Sequence, residues 1–410
     1  MALKDKAFRW LDASDAGIVE LESLLSSIPA IAPESGGQGE MKKAEALVDW
    51  LASKGIRDIE RYDAPDSRVP GGKRPNIVAT IPGSGSDGEG RLWIMSHLDV
   101  VPEGDRTMWK TDPFAVLHDD GRVYGRGVED NQQGLVASVF AVLAILASGA
   151  APARTVKLLF VADEEVGSAY GIQYLLKTQK LFRKEDIILV PDGGNADGSE
   201  IEIAEKHICW LKVATKGKQC HGSRPDEGAN AFLAASDLAL RAHALEKTAF
   251  DARDPLFQPD RTTISPTKKE ANVPNVNTIP GEDVFYMDMR ILPRYSIDEV
   301  LAAISGKMRE VEAEYGVKMS FEAVQRNESR PTPSDAPVVG LLAGAVKEVY
   351  GVDARPVGVG GGTVGAYLRN AGFDCVVWAR MDDTAHQPNE YAYIANIVGD
   401  AKVFASLMLG

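Results

Sequence analysis

Apolar residues recur at three- and four-residue spacing over 16–27 and 41–54, the periodicity of helices that bury one stripe. Short β-rich runs follow at 76–81, 92–95, 156–162 and 187–190. Helices alternating with short apolar strands predict an α/β layered sheet. The stretches 65–75 and 82–90 carry Pro, Gly and Ser at turn spacing and read as surface loops. The longest apolar run, 135–147, has 13 residues. A bilayer needs roughly 20, so this run predicts a helix buried inside the fold.

From 208 the pattern changes. Residues 208–218 alternate as a strand, 229–246 are helical, 284–291 form a strand, 297–315 a long amphipathic helix and 317–324 a closing strand. This β-α-β-β-α-β order predicts a compact α+β, ferredoxin-like unit inserted into the first domain. The expected domains are therefore 1–207 with 328–410, and 208–327. After the insertion the earlier style resumes, with helices at 338–350 and 392–409 and a strand at 376–379.

A chain of 410 residues, 44% hydrophobic and 25% charged, suits two ordinary folded domains. Lys plus Arg number 45 against 59 Asp plus Glu, a net charge of −14. Such a surface repels phosphate backbones and anionic lipid, so neither nucleic acid nor a membrane is expected as a partner. The three cysteines, Cys209, Cys220 and Cys375, lack metal or redox spacing and do not pair off. Together with an opening that shows no signal segment, they point to a reducing cytoplasm.

Four short segments each set an ionisable residue just beyond an apolar run, where open α/β sheets hold their ligands. His97 and Asp99 stand two apart at a strand end, so the carboxylate is expected to hold one imidazole nitrogen and free the other for a metal. Asp130 lies in a glycine-bounded turn opening the apolar helix. Glu164 and Glu165 follow the 156–162 strand, and neighbouring glutamates diverge, so one can bind a cation while the other faces its water. Asp192 follows the fourth strand, and His386 adds a second imidazole before the last helix. Taken singly, each has a plain alternative: a structural histidine, a helix cap, a solvated acidic loop, an Asp-Gly turn. As a set, two imidazoles and several carboxylates without a thiolate are the donors Zn²⁺, Co²⁺ or Mn²⁺ accept.

The ordered motifs HLDVVP, GRGVEDNQQG, DEEVGS, PDGG, HGSRPDEGANA and TAHQPNEY resemble the M20 family of dinuclear metallopeptidases and deacylases. That group includes carboxypeptidase G, aminoacylase, acetylornithine deacetylase and succinyl-diaminopimelate desuccinylase, and within it the chain most resembles the ArgE/DapE-like metallo-hydrolases. The resemblance implies a mixed-sheet zinc-peptidase catalytic domain with a lid and dimerisation domain. It implies two divalent ions, Zn²⁺ with Co²⁺ or Mn²⁺ as alternatives: Asp130 bridging, His97 and Asp192 on one, Glu165 and His386 on the other. Glu164 would be the general base, Asp99 would orient His97, and the Asp130–Asn131 peptide would be cis.

In the inserted unit, His221 resembles the lid histidine that steadies the oxyanion from a partner subunit, so a homodimer through the lid is implied. Asn277 and Arg290 would hold a substrate carboxylate or the oxyanion, although Arg290 can equally pair with Asp288. Gly361, Gly362 and Thr363 match a glycine-rich loop whose N–H groups can bind a carboxylate; a tight turn is the alternative. The family's acid after that threonine is Val364 here, and its role does not transfer. The implied reaction is amide hydrolysis of a small amino-acid-derived substrate. An Asp at position 192 leans toward a dipeptidase or aminopeptidase, whereas the overall likeness leans toward a deacylase. A catalytically silent binding protein on the same fold is the remaining alternative.

Overall fold

A computed structural model describes residues 2–85 and 87–410. The chain forms two compact units, one of Met1–Ile203, Thr332–Pro356 and Thr363–Gly410, the other of Ala204–Pro331 and Val357–Gly362. The expected boundaries at Ile208 and Asn327 fall a few residues inside the second unit, which also takes in the 357–362 stretch.

The first unit is built on an eight-stranded mixed sheet. Its order is Ile59–Arg61, Ile77–Ile81, Val156–Val161, Leu92–His97, Ile187–Asn195, Cys375–Arg380, Glu200–Glu205 and Arg355–Val359. The four strands from Val156–Val161 to Cys375–Arg380 run parallel, and antiparallel neighbours flank them. Parallel strands covered on both faces are apolar throughout, and Leu92–His97 is buried at every position. On one face Trp93, Met95, Leu159, Val161, Ile188 and Val190 pack with the Ile172–Thr178 and Gly365–Asn370 helices. On the other lies Gly134–Ser148, the predicted buried helix, beneath the Leu3–Leu11 and Ile394–Leu409 helices. With the turn before it, Val128–Ser148 is long and apolar enough to cross a membrane by length, yet 83% of that window is buried in the fold.

The parallel arrangement has a direct consequence: the carboxyl ends of four strands meet at one edge, and the loops leaving them hold the candidate residues. A small antiparallel sheet then ties two of these loops together, pairing Tyr391–Tyr393 with Arg122–Tyr124.

The second unit has the predicted β-α-β-β-α-β order. Its sheet runs Thr263–Lys269, Glu282–Ile291, His207–Lys216 and Lys318–Asn327, every adjacent pair antiparallel. The Ala231–Ala244 and Ile297–Tyr315 helices cover one face, and strict alternation in Glu282–Ile291 sends Phe285, Met287, Met289 and Ile291 into that core. A reciprocal Ser296–Glu299 capping box starts the longer helix.

Several elements lie outside the sequence reading, among them Ile172–Thr178, Glu200–Glu205, Arg355–Val359 and Gly365–Asn370. The Leu3–Leu11 helix buries only Ala7 and Leu11, too few to mark a stripe. Thr263–Lys269 contains Pro266, which an edge strand tolerates with a register shift beside it. The Ile187–Asn195 strand runs beyond the predicted 187–190 and through Asp192, so the Asp-Gly turn weighed as the alternative there is extended strand.

At Gly134 the buried helix comes close against the Ile187–Asn195 strand. A Cβ there would stand 2.4 Å from the Pro191 carbonyl oxygen and 2.8 Å from Pro191 Cβ. Gly134→Ala is expected to cost about 1–3 kcal/mol through overpacking. Gly340→Ala, in the Pro337–Tyr350 helix with nothing within 4 Å of the added carbon, should gain about 0.5–1 kcal/mol. Urea unfolding midpoints measure both, and equal midpoints would refute the packing argument.

Candidate metal centre

His97 ends the Leu92–His97 strand and is only 3% exposed. Its Nδ1 lies 2.9 Å from the Asp99 backbone oxygen, which can only accept, so Nδ1 carries the proton and Nε2 turns to Asp130 Oδ1 at 2.9 Å. The Asp99 carboxylate stays within ion-pair range, Oδ1 3.6 Å from Nδ1, while its two oxygens accept the backbone N–H groups of Glu164 and Glu165, each at 3.0 Å. Asp99 thus holds the ring through its carbonyl and the acidic turn through its side chain.

Asp130 occupies the middle. Its Oδ1 faces His97, its Oδ2 faces His386 Nε2 at 3.0 Å, and the Asp130–Asn131 peptide is cis as expected. His386 Nε2 also lies 3.1 Å from Glu165 Oε2, and His97 Nε2 lies 3.5 Å from Asp192 Oδ1. Two donor groups result, His97–Asp130–Asp192 and Asp130–Glu165–His386, each with its ligand atoms within 4.8 Å of one another and with Asp130 common to both. The five residues placed together by sequence are therefore neighbours in space.

The electrostatics follow from crowding. Burial, then the charge of Asp192, pushes the Glu164 carboxyl well above the usual carboxylate range. Burial likewise raises Glu165 and Asp192. Burial alone would lower the His97 imidazole, but Asp192 and Asp130 carry it well above its ordinary value. Hydrogen bonds to Asp130 and Glu165 raise His386 to about 10. The cluster demands positive charge. Two imidazole nitrogens with surrounding carboxylate oxygens suit divalent cations, and the buried Glu165 Oε1 has no hydrogen-bond partner among the described residues, which suits a ligand oxygen.

Several supporting residues escaped the sequence reading. Asn131 donates from Nδ2 to the Pro191 oxygen and, at 2.8 Å, to Asp192 Oδ1, while its Oδ1 accepts the His97 N–H at 3.2 Å. It thereby joins the Asp130 turn to two strand ends. Fully buried Glu390 accepts N–H groups from Gly127, Glu129 and Asp130 and pairs with Arg126 at 2.7 Å. Buried Arg74 pairs with Glu40 and lies 3.1 Å from Asp163 Oδ1, anchoring the residue before the Glu164–Glu165 turn. Glu129, Asn131 and Glu390 stand inside the quoted motifs, but only tertiary burial reveals which acids face inward.

The remaining expected residues, apart from Thr363, belong to the second unit. His221 sits in an exposed two-residue strand with Nδ1 2.8 Å from Ser223 Oγ. Asn277 is exposed and accepts from Asn275 Nδ2. Arg290 forms the ion pair with Asp288, at 2.7 and 3.0 Å, and donates to the Gly360 oxygen at 2.7 Å. Its guanidinium is thus occupied by the second of the two partners weighed. Gly361 is open, with nothing within 4 Å of an added Cβ, and Thr363 Oγ1 accepts the Gly365 N–H at 3.1 Å.

The profile of peptidase family M20/M25/M40 matches residues 93–410. A protein of Methanocaldococcus jannaschii named as an uncharacterized metallohydrolase is 39% identical over 407 residues, spanning 95% of this chain and 98% of that one. Succinyl-diaminopimelate desuccinylase 2 of Shewanella loihica is 25% identical, across 93% of this chain and 96% of its own length. The crystal structure of human carnosine dipeptidase 1 shares the fold, with a TM-score of 0.71 at 19% identity over 99% of each chain. With a family profile over most of its length and a relative this similar from end to end, the chain belongs to peptidase family M20/M25/M40 and is a metal-dependent hydrolase.

Proposed function

We propose that the protein hydrolyses an amide bond in a small amino-acid-derived substrate, a dipeptide or an N-acyl amino acid, with two divalent ions, Zn²⁺ first among the candidates. One observation carries this reading: the two carboxylate oxygens of Asp130 face separate histidines, each with its own second carboxylate. His97 and Asp192 would hold one ion, Glu165 and His386 the other, and Asp130 both. Bound there, the ions would supply Lewis-acid activation of water and of the scissile carbonyl.

The chain supplies the proton traffic. Glu164 is placed by the Asp99 grip on its N–H, where its carboxylate would take a proton from water and pass it to the leaving nitrogen. Asp at position 192 supports the peptide arm, and the likeness to a desuccinylase supports the N-acyl arm. In the second unit, the edge strand Thr263–Lys269 and the exposed Phe232, Leu233 and Leu240 of the Ala231–Ala244 helix packed beside it, with Lys269 over the Phe232 ring, support a homodimer, in which His221 would serve the partner's site.

Three outcomes are expected. Glu164→Gln should keep wild-type metal content while kcat falls about 10²–10⁴-fold against dipeptides or N-acetyl and N-succinyl amino acids; undiminished turnover would remove Glu164 from the chemistry. Titrating EDTA-stripped protein with Zn²⁺ should raise activity to a plateau at two equivalents, and a plateau at one would mean a single-metal enzyme. In sedimentation, Leu240→Glu should convert a dimer to a monomer, and a monomeric wild-type protein would dismiss the dimer.

A further inference from the structure

The loop that delivers His386 is not one the chain would choose unaided. Asp383, His386 and Asn389 all adopt left-handed backbone conformations, with φ of 60°, 63° and 63°. None is glycine, so each must be held by its surroundings. The holding group is Glu129. Its carboxylate, 2% exposed, accepts the Asp382 N–H at 2.7 Å, the Thr384 N–H, and the Thr384 hydroxyl at 2.7 Å. The hydroxyl also contacts the Tyr391 carbonyl at 2.9 Å and accepts the Tyr391 N–H at 3.2 Å, closing the loop on itself.

Glu129 is bonded to Asp130, and the same turn is gripped in return. Glu390, at the far end of the His386 loop, accepts the N–H groups of Gly127, Glu129 and Asp130 at 2.9, 3.0 and 3.1 Å. Two buried acids are thus exchanged between two loops. The carboxylate of one loop binds backbone donors of the other, and Asp130 and His386 are the residues each loop presents. The Glu129 bonds reach neither His97 nor Asp192: His97 is fixed by the Asp99 carbonyl, and Asp192 by Asn131, which belongs to the turn that Glu390 holds.

We infer that Glu129 is a positioning residue for the His386 side of the centre alone, setting the affinity of the Glu165–His386 ion while leaving the His97–Asp192 ion in place. The inference rests on the two-ion reading of the site. A carboxylate is required because all three groups facing it are donors; an amide nitrogen would turn a fourth donor toward them.

The test is Zn²⁺ binding to EDTA-stripped protein by calorimetry, with atomic emission after dialysis to count retained metal. Wild-type protein should bind two ions. Glu129→Gln should bind one ion as tightly as wild type and the second about 10–100-fold more weakly, the usual consequence of removing a group that orients a ligand. Thr384→Val, which removes one of the three donors, should shift the second ion the same way by less, and it serves should Glu129→Gln fail to fold. Glu129→Asp should restore part of the lost affinity. Equal weakening of both ions, or no change in either, overturns the inference. A wild-type protein that binds a single ion overturns the two-ion reading itself, and the inference falls with it.

Discussion

Crowded negative charge is the constraint that the rest of the first unit answers. Asp99, Asp130, Glu164, Glu165 and Asp192 gather at one sheet edge, mostly out of water, where each carboxylate raises its neighbours' cost of ionising. The fold offsets this with donors that cannot move away. Asp99 takes two backbone N–H groups, Glu390 takes three with a guanidinium, and Glu129 takes two with a hydroxyl. Backbone N–H groups suit this work because they carry partial positive charge, lose little freedom on being fixed, and tie the acid to the chain at the point of use.

A second ring of charge lies behind the first. Arg74, fully buried, pairs with Glu40 and reaches Asp163 and, at 3.5 Å, Asp66. Lys43 is equally buried, and burial draws its amine down to about 8 although Asp99, Glu40, Glu22 and Glu390 oppose the change. Removing one partner from such a network leaves the other uncompensated in a low dielectric, so these interactions fix geometry whatever their net contribution to stability. The parallel sheet is what allows the arrangement: strands buried on both faces leave their carboxyl ends as the place where loops from distant parts of the chain can meet.

The candidate ligands were legible in the sequence because strand-then-acid is a local pattern. His97, Glu164 and Glu165 each stand at or just beyond the end of an apolar run, and a resemblance to one family ordered them with Asp130, Asp192 and His386 into a single set. The supporting residues were not legible, for a physical reason. Glu129 and Glu390 look like any surface acid until the pairing of Tyr391–Tyr393 with Arg122–Tyr124 brings their loops together. Spacing of two places Asp99 on the right face for the His97 ring without saying that its carbonyl, at 2.9 Å, lies nearer Nδ1 than its carboxylate, at 3.6 Å. In the second unit, the sequence left Arg290 open to a substrate group or to Asp288, and only the fold shows its guanidinium taken by Asp288 and Gly360. Strand ends were misjudged where polar residues continue a strand, as at Asp192–Asn195.

These supports bear on the order in which the centre is assembled. Were the ions needed to bring the ligands together, the ligand loops would lack other anchors, as in small zinc domains that are unfolded without metal. Here every ligand segment is held by protein groups: His97 by Asp99, Asp130 by Glu390, Glu165 by Asp99, Asp192 by Asn131 and the His386 loop by Glu129. The sheet beneath is closed by apolar packing that owes nothing to the site. The loops that carry the candidate ligands are therefore anchored by the chain's own groups, unlike those of a domain whose fold waits on its metal. A site set in advance in this way has little reorganisation left to undergo at the moment of reaction, which is the condition under which fixed charges act most effectively on a developing one.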